Sequence, residues 1–335
     1  MTTRVCLTHL GGGDGENLGM APWVKRDADI LAERCTPRPL MYGSRWDVPA
    51  LALALMTSDV SLNWFAWDNA LWSIRLGKWL RVPGIVIVGG FDVARLPEIN
   101  YGAMRTPRGE AKVRTILSNA AHVFALSEFL RGSVHSVAPD VPIEALHLGF
   151  DPAEYPPGPE LSERRGVCTI GDVTESNLLR KGIADVVEVA RYLDDTPVHV
   201  IGRLSPSLST LVSAAPDNVT FLDYVPKGTL IDILHGSKVY LQLSRHEGFG
   251  SAVAEAMLCR CVPVVSRAGA LPEVVGDAGY YANLGNPEEI AEVVRHALDD
   301  PARGNAARRR VIDRFPLAKR RTLLLRRVQE VASRR

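Results

Sequence analysis

The chain has 335 residues, 46% apolar and 23% charged, with a formal net charge of +1, the composition of a globular protein and not of a disordered or fibrous one. That length exceeds what one hydrophobic core usually organises, so two domains are expected. No apolar run approaches the roughly 20 residues a bilayer span needs, and the opening MTTRVCLTHLGGG reads as a first strand and not as a leader peptide, so a cytoplasmic address is expected.

In chain order, short apolar runs bounded by turn residues predict strands over 4–10, 59–67, 84–90, 122–127, 167–171, 198–202, 218–222, 238–244 and 262–266. Helical patterns lie between them. In 181–193, for instance, Ile183, Val186, Val187, Ala190 and Leu193 form one apolar stripe suited to packing on a sheet. Alternation of strand and helix implies α/β architecture: two doubly wound, Rossmann-like domains facing across a cleft, with ligands bound beyond the carboxyl ends of the strands. The segment DPAEYPPGPE, 151–160, holds four prolines and a glycine and is the expected linker. The expected division is therefore 1–155, 160–315 and a basic C-terminal helix, 316–335, returning to the N-terminal domain.

The five cysteines (Cys6, Cys35, Cys168, Cys259, Cys261) show no paired Cys-x-x-Cys spacing, so they read as small apolar residues and not as a disulfide or zinc framework. Charge is unevenly spread. Residues 301–335 carry +10, which leaves −9 for the first 300. In that tail Leu317, Leu324, Leu325 and Val328 recur near helical spacing, the pattern of a docked helix with a solvated basic face; contact with anionic lipid is the alternative. All six tryptophans lie within the first 80 residues, and Trp72 and Trp79 share a helix face with Arg75, Lys78 and Arg81 nearby. Ordinary core packing is one reading, and an acceptor platform or a helix at a membrane interface is the other.

The densest chemical signal is SRHEGFGSAVAEAM, which starts at Ser244. A strand ends at Ser244, a turn holding Gly248, Phe249 and Gly250 follows, and a helix starts near Ser251. The amides of Ser251, Ala252 and Val253 and the positive end of the helix dipole then favour an anion. Glu247 and Glu255 flank that anion seat with seven residues between them, and carboxylates there suit sugar hydroxyls better than phosphate.

This stretch, together with Pro263-Val-Val, resembles the paired-glutamate motif of family 4 of the retaining glycosyltransferases, which have the GT-B fold; the likeness runs from about 165 to 300. The resemblance implies that Glu247 meets the transferred sugar and Glu255 the ribose of the nucleotide. TIGDVTESNLLRKG resembles the family segment that presents an arginine and a lysine to the donor diphosphate: Lys181 matches the lysine, Gly171-Asp172 stands where the family has Gly-Arg, and Arg180 is the substitute candidate. The stretch from Asn218 to Pro226, including Val225, resembles the strand and turn beside the base. Leu10-Gly-Gly-Gly-Asp-Gly15 resembles the N-terminal glycine loop, which makes Gly12 and Gly13 donor-site candidates. After GIVIVGG many members have a histidine, where this chain has Phe91-Asp92, and Asp92 is the candidate for orienting a sugar.

The implied activity is a retaining, metal-independent glycosyl transfer from a nucleotide-diphosphate sugar, UDP- or GDP-linked, to a hydroxyl of a glycan, lipid-linked glycan or natural product. No metal and no further cofactor is expected, nor a nucleic-acid partner. Peripheral membrane contact through basic helices, at the inner face, is an expectation, and the oligomeric state is left open. A sugar-nucleotide 2-epimerase and an inactive, glycan-binding transferase-like subunit are the alternatives.

Overall fold

A computed structural model describes residues 2–11 and 19–334. The chain divides into two compact units, one formed by residues up to Gly149 together with those from Leu317 on, the other by Phe150–Pro316.

The first unit runs β1 (Thr3–His9), α1 (Pro22–Ala32), β2 (Cys35–Met41), α2 (Val48–Met56), β3 (Val60–Trp64), α3 (Asp68–Leu80), β4 (Gly84–Val88), α4 (Pro107–Ser118), β5 (His122–Ala125), α5 (Glu128–Val137) and β6 (Ile143–Ala145). The strands form one parallel sheet in the order β2-β1-β3-β4-β5-β6. Every residue of GIVIV in β4 is buried, as expected for a central parallel strand covered on both faces.

The second unit runs β7 (Val167–Ile170), α6 (Glu175–Arg180), α7 (Ile183–Ala190), β8 (Val198–Ile201), α8 (Ser209–Ser213), β9 (Val219–Leu222), α9 (Lys227–Gly236), β10 (Val239–Gln242), α10 (Ser251–Leu258), β11 (Val262–Val265), α11 (Leu271–Val275), β12 (Tyr280–Tyr281), α12 (Pro287–Asp299) and α13 (Pro301–Arg314). Its parallel sheet has the order β12-β11-β10-β7-β8-β9. Its core joins Val167, Val200, Leu241 and Val264 of the strands to Ile183 and Val186 of α7 and Ile290 and Val294 of α12. The last helix, α14 (Leu317–Ala332), packs on α1 and β3 of the first unit.

Three strands escape the sequence pattern: β2, β6 and β12. All three lie at sheet edges. β2 reads CTPRPLM, and its two prolines are compatible with a strand only where one side needs no ladder hydrogen bonds.

The proline-rich segment expected as a linker belongs to the second unit, so the unit boundary falls at 149/150 and not at 155/160. Prolines lack N–H but keep their carbonyls, and arginines take these up. Arg260 donates to Pro157 O, Gly158 O and Pro159 O at 3.0, 2.7 and 2.8 Å. Arg164 also holds Pro157 O and Pro159 O, and Arg308 holds Tyr155 O at 2.6 Å.

His122 opens β5 as a buried imidazole, with Nε2 3.5 Å from a Glu144 oxygen. Burial, helped by Arg327 and opposed by Glu144, pushes its pKa from 6.5 down to about 4. The unfolded chain therefore binds more protons between these two values, so this group's contribution to stability is complete above pH 6.5 and is lost as the pH falls toward 4. Denaturant midpoints measured across that window should rise with pH, and His122→Gln should flatten the slope.

Candidate donor-sugar site

The site is built at the carboxyl ends of β7 and β10. In the apolar run of β10, Gln242 is a buried polar residue, followed by the buried Ser244. Both donate to Glu247: Gln242 Nε2 to Oε1 at 2.5 Å and Ser244 Oγ to the same oxygen at 3.1 Å. The Lys181 ammonium completes the cluster on Oε1 in an ion pair. No donor among the described residues meets Oε2, which leaves that oxygen as an acceptor for a ligand hydroxyl. Glu247 is only 6% exposed. Burial pushes its carboxyl up, but the Lys181 charge and hydrogen bond, the Arg180 charge and the Ser244 hydroxyl outweigh burial and hold the pKa below the ordinary carboxylate value. A buried carboxylate kept ionised by a neighbouring cation at strand ends is a functional-site candidate.

Lys181 reaches this position through a break between helices. The 181–193 helix expected from the apolar stripe begins only at Ile183; Lys181 caps the carboxyl end of α6, and Gly182 adopts φ 69°. A Cβ at Gly182 would lie 2.1 Å from Leu243 O, so only glycine lets the chain cross β10 this closely. Arg245 fixes the crossing from the other side, donating its amide to Arg180 O at 2.8 Å and its guanidinium to Leu179 O and Asp185. Arg180 therefore ends a helix instead of starting one. Its guanidinium is hydrogen-bonded to Asn177 Oδ1, and its charge still acts on Glu247.

Gly250 caps α10 with φ 95° and no side-chain hydrogen bond, and the first amides of a helix, here those of Ser251, Ala252 and Val253, have no partner within the helix itself. Glu255 lies half-buried within this helix. Both Glu247 and Glu255 act electrostatically on the hydroxyl of buried Tyr240, whose pKa burial raises well above 10.

Other candidates take different places. Phe249 was expected in the donor-binding turn, but its ring packs inward against Phe150 and Phe315, with centroids 6.1 and 5.3 Å away; only its backbone and that of Gly248 belong to the turn. Val225 is half-buried in the loop after β9, an edge strand three places from β10. Gly12 and Gly13 lie outside the described residues. Asp92, in the first unit, is buried and tied to backbone, accepting from Gly89 N at 2.7 Å and Ala66 N at 3.1 Å. Burial raises its pKa to about 6 against those bonds. Its carboxylate joins the loops after β3 and β4, which makes it a positioning residue.

Sequence reasoning passed over Gln242, Ser244 and Arg203. Gln242 could have been found as the lone amide in VYLQL. Arg203 follows β8 as Asp172 follows β7, and its guanidinium pairs with Asp172 at 2.7 Å, so the acidic residue standing where an arginine was expected is neutralised by an arginine one strand over.

These features define a two-domain α/β protein of the GT-B fold, with an ion-paired carboxylate at the strand ends of its second unit. Residues 176–314, all within that unit, match the family described as glycosyl transferases group 1. Among curated proteins, the chain is 28% identical over 246 residues to the alpha-maltose-1-phosphate synthase of Mycolicibacterium smegmatis, covering 61% of this chain and 62% of that protein. It is 35% identical over 82 residues to the O-antigen chain mannosyltransferase B of Escherichia coli, covering 24% and 22%. The matches thus span less than two thirds of these curated relatives. Among solved structures, Anabaena HepE in complex with UDP-glucose superposes with a TM-score of 0.79 at 14% identity, over 99% of this chain and 100% of that one. The sucrose-phosphate synthase of Thermosynechococcus elongatus gives 0.79 at 15% over the same shares.

Proposed function

We propose that the chain is a retaining glycosyltransferase that takes its sugar from a nucleoside-diphosphate donor, UDP- or GDP-linked, and delivers it to a hydroxyl acceptor without a metal ion. The observation that carries this reading is the ion pair of half-buried Lys181 with buried Glu247 at the strand ends of a segment that matches glycosyl transferases group 1. The UDP-glucose held by the Anabaena protein of the same fold supports the donor class.

As the bond from sugar C1 to the β-phosphate oxygen breaks, its electron pair stays on the diphosphate. Lys181 and the amides of Ser251, Ala252 and Val253 are the groups available to stabilise that charge, and one such preorganised donor contributes on the order of 3 kcal/mol. Glu247 Oε2 accepts a sugar hydroxyl, and Glu255 accepts from the ribose. The acceptor oxygen bonds to C1 on the face the diphosphate leaves, and its proton passes to a phosphate oxygen.

A thermal-shift screen with UDP-, GDP- and ADP-sugars tests the donor class, since a ligand that binds only the folded state raises the melting temperature. One series should raise it, and Glu255→Ala should abolish most of the rise. The reading fails if no series shifts the melt and no transfer to any hydroxyl acceptor is detected.

A further inference from the structure

The basic C-terminal helix, the first place to look for a lipid-binding face, is already occupied. Its leucines Leu324 and Leu325 are buried. Its arginines are paired: Arg320 with Asp27, Arg321 with Glu33 at 2.9 Å, and Arg327 with Glu144 at 2.7 Å.

A different surface of the first unit has the opposite character. Helix α2 reads VPALALALM and contains no polar side chain. One side of it, Val48, Leu51 and Leu55, packs with Tyr42 and Val82 and against Trp72, Leu76 and Leu80, the last three from α3. On the other side Leu53 and Met56 are 64% and 51% exposed. Trp46, in the capped turn that leads into α2, is 78% exposed, and Trp79 on the neighbouring α3 is 82% exposed. Single exposed apolar residues need no explanation, but two indoles beside an uncharged helix face do.

Cations accompany these residues in the turn before α2 and along α3. Arg45 lies over the Trp46 ring at 5.0 Å, and Arg75 over Trp72 at 5.7 Å. Lys78 and Arg81 are exposed on and just after α3. Among the described residues none of these four cations forms an ion pair, in contrast to the arginines of α14.

We propose that this face of α2 and α3 docks the protein on an anionic bilayer, with Trp46, Leu53, Met56 and Trp79 entering the headgroup boundary and the four cations meeting lipid phosphates. Charge complementarity selects this occupant. An apolar protein partner would gain nothing from four unpaired cations at the rim, whereas an anionic lipid surface attracts each of them. Indole rings are at home at that depth, and long basic side chains can reach outward from it.

Flotation of the full chain with vesicles provides the test, using phosphatidylcholine alone or with about 30% phosphatidylglycerol. Binding should require the anionic lipid and weaken steeply toward about 0.5 M salt, where charges are screened within a few ångströms. Leu53→Ser with Trp79→Ser should lower the partition coefficient at least about tenfold. Arg75→Gln with Lys78→Gln should lower it by about fivefold per cation on anionic vesicles only. All four positions are exposed, so melting temperatures should stay within a degree or two of the parent, which separates lost docking from lost folding. The proposal is overturned if the parent chain does not float with anionic vesicles at low salt, or if Lys319→Gln with Arg326→Gln on α14 abolishes binding instead. It is equally overturned if light scattering shows a dimer that the Leu53→Ser, Trp79→Ser variant dissolves while no vesicle binding is seen.

Discussion

Lys181→Ala is expected to lower the rate of sugar transfer by about 100- to 1,000-fold, the effect of removing one preorganised donor from a developing oxyanion. The ammonium has two tasks. In the proposed mechanism it stabilises the departing diphosphate, and in the structure it keeps Glu247 ionised in a setting that otherwise favours the neutral acid. Because the folded-state pKa of Glu247 lies below its ordinary value, the pair's contribution to stability is present at neutral pH and is lost as the pH falls through that folded value. Without Lys181 burial prevails and the carboxyl retains its proton to higher pH. The variant should therefore lose both turnover and the stability that the ion pair supplies. Lys181→Met combined with Glu247→Gln separates the two tasks, since it removes both charges and leaves no uncompensated ion in the interior. Its melting temperature should recover toward that of the parent, whereas transfer should fall to or below the level of the single variant, because the carboxylate that takes the sugar hydroxyl is gone as well. Recovery of transfer in the double variant would reduce Lys181 to a scaffold residue and remove the basis of the proposed mechanism.

The sequence carried most of the strands of both sheets, though not their order, because buried parallel strands such as GIVIV are continuous apolar runs. It did not carry β2, β6 and β12. An edge strand is covered less and pairs on one side only, so the composition pressures that mark a central strand are relaxed there, to the point that two prolines fit in β2. At the site, Glu247, Glu255 and Lys181 were singled out by the resemblance to the paired-glutamate motif, and the structure brings Lys181 onto Glu247. The break at Lys181-Gly182 was not: the apolar stripe of α7 runs on without interruption, and the reason for the break is Leu243 O on another strand, 2.1 Å from where a Cβ at Gly182 would stand. For the same reason the sequence did not show that Arg180 ends a separate helix, α6. Phe249 shows the limit of motif reading. The residue lies in the turn, but the direction of its ring is set by Phe150 and Phe315, at opposite ends of the second unit's sequence.

Arg320→Ala is expected to destabilise the first unit by about 3–5 kcal/mol, the range for breaking a buried ion pair from one side. The side chains of Arg320 and Asp27 are 2% and 0% exposed and lie 293 residues apart in sequence. The guanidinium meets both oxygens of Asp27, at 2.7 and 2.8 Å, and donates its remaining arm to Leu146 O and His147 O at 3.0 and 2.9 Å. Trp64 Nε1 donates to the same carboxylate at 3.1 Å. Alanine would leave Asp27 charged in the interior with one indole N–H for company, and two carbonyls without their donor. Lysine would not repair the damage, because a single ammonium cannot reproduce the bidentate fork and the two carbonyl contacts together. All six tryptophans precede residue 80 and so belong to the first unit. Their emission during a denaturant titration therefore follows this unit alone, and the midpoint should fall sharply in Arg320→Ala and Arg320→Lys. If the cost comes from the stranded charge and not from lost packing, Arg320→Met with Asp27→Leu should restore much of it, because that pair removes both ions and keeps most of the volume. An Arg320→Ala midpoint equal to that of the parent chain would mean that α14 is held by its leucines alone and that the buried pair contributes nothing to fixing it on the sheet.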